Sequence, residues 1–377
     1  MSPQNAAFPS EEAVHAALAR VMDPELRRPV TELGMVSSVV VHDDAAVTVG
    51  VLLTVAGCPL RGTIEEDVRR EVSAVPGVSR VDVELGVMSP EQRRELVDSL
   101  KRHVVPFTRP GSLTRIIAVA SGKGGVGKSS LTVNLAAALS ATGLRVGVID
   151  ADVLGFSVPG LMGLAGATPT RVDDMIVPPV AHGVKVVSIG MFLADNAPVM
   201  WRGPMLHRAL EQFITDVHFG DLDVLLLDLP PGTGDVAISV SQLLPGSELL
   251  VVTTPQHAAA EVAERAGVMA EQTGQRVIGV VENMSAMRLP DGTTLSPFGE
   301  GGGEEVARRL SAAAGREVPV LAQVPLDTAL REGGDTGVPV VLRDPESPAG
   351  RALRELAQRL ALRPRGLAGL RLDITPR

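Results

Sequence analysis

Cysteine is almost missing from this chain: its 377 residues include one, Cys58. A lone thiol closes no intramolecular disulfide, and no C-x-x-C pair is present to hold a metal. Such cysteine usage predicts a reducing, cytoplasmic setting. Tyrosine is absent, tryptophan occurs once, and aromatics make up 2% of the chain. Few side chains can therefore stack on the bases of a single strand. The net charge of -9 also lacks the basic excess of a general nucleic-acid binder. Long apolar runs are missing too, with none approaching the ~20 residues of a membrane span. Met1 to Pro9 has neither the basic start nor the apolar core of a signal peptide. The seven histidines include no H-x-x-x-H pair, and His207 and His257 read as ordinary surface or helix residues. These absences predict no nucleic-acid partner and no stable membrane insertion.

What is present suits folded domains. Hydrophobic residues make up 45% and charged residues 21% of the chain, ample for buried cores. The length suggests one large and one small domain. Residues 1–103 are expected to form a small α+β domain, with a helix opened by Ser10 and alternating strands near Val36–Val41, Ala46–Thr54 and Val78–Leu85. Residues 104–114, with Pro106, Pro110 and Gly111, read as a linker. From Arg115 to the C-terminus, residues 115–377, short Val/Ile/Leu runs alternate with helical patterns. Continuous apolar runs are the mark of strands covered on both faces, so this part is expected to form a doubly wound, mostly parallel α/β sheet. Leu353, Leu356 and Leu360 fall on one face of a last helix, expected to close that sheet.

The stretch from Ser121 to Ser130, SGKGGVGKSS, carries the chemistry. It follows the apolar run at 115–120 and opens onto a helical pattern, which is the strand–loop–helix setting of a phosphate-binding P-loop. Gly122 and Gly127 bracket the loop, Lys128 follows, and Ser129 supplies a hydroxyl. With no Cβ atoms in the way, the backbone from Gly122 through Gly124, Gly125, Val126 and Gly127 can turn its N–H groups onto phosphate. The helix start at Lys128, Ser129 and Ser130 adds its partial positive charge. Asp150-Ala-Asp152 ends the next apolar run, and Val224–Leu227 delivers Asp228 in a Walker B pattern. Carboxylates beyond strand ends can serve Mg²⁺ or the attacking water. The Leu229–Asp235 turn, LPPGTGD, is placed to respond when a γ-phosphate leaves.

A second loop lysine, Lys123, is not required by an ordinary P-loop. KGGVGKS resembles the deviant P-loop shared by the MinD and ParA ATPases, nitrogenase iron protein and the Mrp/ApbC iron–sulfur carriers. Residues 115–345 resemble the Mrp/ApbC branch through DADVLG at 150–155, WRGPM at 201–205, LDLPPGTGD at 227–235, TTPQ at 253–256, ENMS at 282–285 and FGEGGG at 298–303. Residues 10–90, with Asp23-Pro-Glu25 and Gly57-Cys58-Pro-Leu60, resemble the small domain fused to many Mrp proteins and found alone in iron–sulfur assembly factors.

The resemblance implies a slow, homodimeric ATPase that uses ATP and Mg²⁺ and works with iron–sulfur assembly or client proteins. It implies that Lys128 and Ser129 bind phosphate and Mg²⁺, and that Lys123 reaches the partner subunit's nucleotide. It gives Asp152 a catalytic and metal-site role and Asp228 the metal. It makes Asn283 the reader of adenine, with Pro325 lining the base pocket. A positioning or scaffold ATPase of the MinD/ParA kind, with no iron role, is the alternative. One departure is large. The family's carriers place a C-x-x-C between ENMS and FGEGGG, and here Ala286–Pro297 contains no cysteine. The family's 4Fe–4S site is thus absent, leaving Cys58 as a weak candidate ligand that reads equally well as a buried structural cysteine.

Overall fold

The apolar runs from Arg115 onward lie side by side in one eight-stranded sheet. The structure is a computed structural model that describes residues 8–26, 28–54, 60–103, 107, 112–153, 155–173, 175–192, 203–232, 234–289 and 291–361. Cys58, Trp201 and Arg202 lie outside the described residues. Along the chain the elements begin with α1 (Glu11–Leu18), β1 (Val36–Val41), β2 (Ala46–Leu53), α2 (Arg61–Ser73), β3 (Arg80–Val87) and α3 (Pro90–His103). Next come β4 (Arg115–Ser121), α4 (Lys128–Ala141), β5 (Val146–Asp150), α5 (Val158–Leu161), β6 (Thr170–Val172), β7 (Met175–Val177), β8 (Val180–Ala181) and β9 (Val184–Ser188). A 3-10 turn at Ile189–Phe192 precedes α6 (Gly203–Thr215), β10 (Val224–Asp228), α7 (Asp235–Leu243), β11 (Glu248–Thr253), α8 (His257–Gln272) and β12 (Arg276–Ser285). The last are β13 (Met287–Arg288), β14 (Thr294–Leu295), α9 (Gly302–Ala314), β15 (Val320–Pro325), α10 (Thr328–Thr336), α11 (Val340–Arg343) and α12 (Pro348–Ala361).

Two units result: Met1–Val104 with Thr170–Pro178, and Val105–Pro169 with Pro179–Arg377. In the first, β2 is central, antiparallel to β1 and parallel to β3. The Ser10 hydroxyl caps α1 by accepting from the Ala13 N–H at 3.1 Å. Ile64, Val68 and Val72 recur every fourth residue on α2 and are buried, giving the helix one apolar face. That face and Val14 and Leu18 of α1 share a core with Val47, Val49 and Val51 of β2. The hairpin β6–β7 joins the same core through Val172, Met175 and Val177. A stretch from inside residues 115–377 therefore belongs to the first unit, and no composition change in the sequence marks it. The Asp23-Pro-Glu25 motif forms a buried turn in this unit. Asp23 Oδ1 accepts from the Glu25 and Leu26 N–H groups at 3.0 and 2.7 Å, and the Thr170 hydroxyl donates to Glu25 at 3.3 Å.

The large sheet of the second unit has the order β15-β12-β11-β4-β10-β5-β9-β8. Every pairing is parallel except β8 with β9. Ile117, Val119, Val148, Leu226, Leu250 and Val252 form one cluster with α4 and α12. The residues between them, such as Ala118, Ile149, Leu225, Leu227 and Val251, are equally buried. Alternate side chains point to opposite faces of a strand, so both faces are covered. Leu353, Leu356 and Leu360 are spent on this core, and α12 closes the sheet. Among the described residues no helix is long and apolar enough to cross a membrane. The chain leaves β4 toward β5 on one side and later returns to β11 on the other. Ligand crevices form at such a reversal, beyond the strands' carboxyl ends.

Candidate functional site

β4 ends at Ser121, and α4 starts at Lys128. Gly127 turns the chain between loop and helix with φ +81°, and a Cβ there would lie 2.2 Å from the Asn283 amide nitrogen. Both the backbone conformation and the space demand glycine. No side chain caps the start of α4, so its first N–H groups are left to receive an anion. They face a cavity of about 560 Å³ lined by residues of the loop from Ser121 to Ser130, by Asp152, Gly155 and Ser157, and by Pro230 and Pro231. Lys123, Gly124, Gly125, Val126, Gly127, Lys128, Ser129, Ser130 and Asp152 all line it, and Gly122 lies in the same loop between two lining residues.

Asp228 sits beneath the cavity, fully buried at the end of β10. Lys128 Nζ lies 2.8 Å from its Oδ2, and the Ser129 hydroxyl donates to that oxygen at 2.5 Å. The Thr132 hydroxyl donates to Oδ1 at 2.8 Å. A buried carboxylate is tolerable only with such compensation. Thr132 was not singled out from the sequence, although it stands one helical turn after Lys128 on the same face. Carboxylate and hydroxyl oxygens beside a cavity suit a hard cation that keeps several waters, as Mg²⁺ does. Among the described residues no cluster of three or more His, Cys, Asp or Glu could hold a metal by itself, so phosphate and water oxygens would have to complete such a shell.

Parallel register puts Asp150 directly beside Asp228. Burial first, and then the neighbouring Asp228 charge, push the Asp150 pKa up to about 7. Asp150 points its acceptors at the loop that follows it. It receives the Asp152 N–H at 3.2 Å, the Val158 N–H at 3.3 Å and the Ser188 hydroxyl at 3.1 Å. It is thereby a positioning residue for Asp152, whose Oδ1 also accepts from the Gly155 N–H at 3.1 Å.

Asn283 and Pro325 do not line this cavity. Asn283 is buried, and its Nδ2 donates to the Val126 carbonyl in the P-loop at 2.8 Å. The next residue, Met284, has φ +59° at an irregularity in the β12–β15 pairing. Pro325 stands opposite Ser285 in that pairing. Glu282, the residue before Asn283, accepts from the Gly303 N–H at 2.7 Å, so a carboxylate already occupies the start of α9. A Cβ at Gly302 would come within 2.5 Å of the Pro255 carbonyl. The glycines at 302 and 303 are therefore buried helix, and their glycine character answers to close packing.

A P-loop loaded with uncapped amides, a lysine on its first helical residue and a buried Walker B aspartate define a P-loop nucleotide-binding protein. Its family is equally plain. A profile described as a NUBPL iron-transfer P-loop NTPase matches residues 112–361, and one described as an iron-sulfur cluster assembly protein matches residues 11–85. The chain belongs to this iron-transfer P-loop NTPase family, with an iron–sulfur assembly domain at its N-terminus. It is 61% identical over 97% of its length, and 96% of the relative's, to an iron-sulfur cluster carrier protein of Mycobacterium tuberculosis. It is 41% identical to that of Synechocystis over 93% of this chain and 96% of the relative. Among solved structures, an ADP-bound nucleotide-binding protein from Archaeoglobus fulgidus is 36% identical. The match covers 66% of this chain and 91% of that one with a TM-score of 0.52.

Proposed function

We propose that this protein is a homodimeric, Mg²⁺-dependent ATPase that assembles or transfers iron–sulfur clusters for client proteins. The observation that carries the ATPase reading is the meeting of Lys128, Ser129 and Thr132 on Asp228 directly beneath the P-loop cavity. In this reading the loop amides and Lys128 bind the β- and γ-phosphates of ATP. Ser129 and Asp228 would hold Mg²⁺, which supplies charge neutralisation at those phosphates. Asp152, positioned by Asp150 and Gly155, orients the water that attacks the γ-phosphorus. The P–O bond to the ADP oxygen breaks as the new one forms, releasing ADP and phosphate. Asn283 anchors the P-loop through Val126 and reads adenine only if its amide turns toward the base on binding, with Pro325 beside it. The iron–sulfur role follows from the family and from relatives named iron-sulfur cluster carrier proteins.

Asp152→Ala tests the assignment of that carboxylate. ATP affinity should stay near the parent's while steady-state hydrolysis falls by about 10²-fold or more, as for loss of a positioned acid–base group. Parent-rate turnover in this variant would remove Asp152 from the mechanism.

Cluster handling is a separate question, because cluster ligation ordinarily takes four thiolates and a homodimer of this chain has two, one Cys58 from each subunit. Anaerobic reconstitution should give substoichiometric iron that is lost in Cys58→Ser, with ATP hydrolysis retained. Four irons and four sulfides per dimer, stable to desalting, would show that the chain carries its cargo on ligands other than its thiols.

A further inference from the structure

The second loop lysine makes a contact within its own chain. Lys123 Nζ donates to Gln256 Oε1 at 2.5 Å. The two residues come from neighbouring strand ends. β4 and β11 run parallel with Ser121 beside Val252, so the segments that follow each strand emerge together above the sheet. The Ser121 hydroxyl donates to the Lys123 carbonyl at 3.1 Å, which ties the backbone at the lysine to the end of β4.

We propose that Gln256 is the resting-state acceptor of Lys123, a positioning residue that keeps the lysine on its own subunit until nucleotide phosphates draw it away. The inference rests on the reading that Lys123 acts on the partner subunit's nucleotide, and it adds the residue that governs when it does so. Three features suit the contact to release. The acceptor is a neutral amide, so the ammonium is hydrogen-bonded but its charge is not balanced. Gln256 immediately precedes α8, a helix whose start has no side-chain cap, and the positive end of a helix disfavours a cation. Lys123 also lines its own subunit's nucleotide cavity, so binding of a triphosphate there changes the lysine's surroundings and disturbs the contact. A glutamate at 256 would hold the lysine by charge as well, while an alanine would not hold it at all.

That contrast supplies the test, because a merely structural role for Gln256 would make both substitutions harmful in the same direction. Parent, Gln256→Ala and Gln256→Glu proteins are compared without nucleotide for acylation of Lys123 by an amine-reactive reagent, read by mass spectrometry. The buried Lys185, 3% exposed, serves as internal control. Lys123 should react about two- to tenfold faster in Gln256→Ala, the worth of one hydrogen bond, and more slowly than the parent in Gln256→Glu. ATP hydrolysis at limiting protein concentration should follow the same order, and Lys123→Ala should erase the differences among the three. Equal reactivity of Lys123 in all three proteins would overturn the proposal. Altered reactivity with unaltered hydrolysis would support the tether and count against the action of Lys123 across the dimer.

Discussion

Lys128→Met is expected to abolish detectable ATP binding and to destabilise the nucleotide-free protein by about 3 kcal/mol, the scale for breaking a buried ion pair. The first effect follows from losing the cation that the P-loop offers to phosphate. The second follows from Asp228, which is fully buried and would keep only the Ser129 and Thr132 hydroxyls. Methionine preserves most of the lysine stem, so packing contributes little to the loss. Adding Asp228→Asn should recover most of the stability, because no unpaired charge then remains, and none of the binding. Denaturant midpoints without nucleotide and calorimetric titration with ATP separate the two effects. If the single variant is as stable as the parent, the pair under the P-loop is not holding the resting site together.

The second large effect concerns Lys123 across the proposed dimer. Lys123→Ala should keep nucleotide affinity and lose hydrolysis by about 10²-fold or more, the scale of removing one transition-state charge partner. Asp152→Ala should be similarly inactive. A heterodimer of the two contains one site with both defects and one with neither, since each site takes its aspartate from one subunit and its lysine from the other. Mixing should therefore restore turnover at one of the two sites. Verified heterodimers that stay inactive would place Lys123 in the service of its own subunit's nucleotide.

Much of this fold was legible in the sequence because its strands are buried on both faces. Val146–Ile149 and Val224–Leu227 read as unbroken apolar runs, and the P-loop residues are adjacent in sequence by necessity of their shape. Legibility failed where burial depends on a partner far along the chain. The apolar run Val277–Val281 continues as strand through Glu282, Asn283 and Ser285. Glu282 and Asn283 can enter the interior because Gly303 and Gln323 meet the first and Val126 the second. Nothing local marks the glycines at 302 and 303 as buried helix, because their packing neighbours, Pro255 and Glu282, are remote in sequence. The positioning role of Asp150 was not legible, since nothing local announces Ser188 or Asp228 beside it. Gln256 was visible only as part of TTPQ, and its meeting with Lys123 depends on β4 and β11 being neighbours in the sheet.

The hairpin at Thr170–Val177 bears on how such a protein could be inherited in pieces. A recombination joint within residues 104–111 looks harmless on the linear map, since it falls between the two matched profiles. It would nonetheless export a small domain stripped of Val172, Met175 and Val177, three side chains of its interior. It would leave the donor gene encoding an apolar hairpin with nothing to fill. Nine residues far from the joint, Thr170–Pro178, would thus have to travel with the small domain for its interior to stay filled.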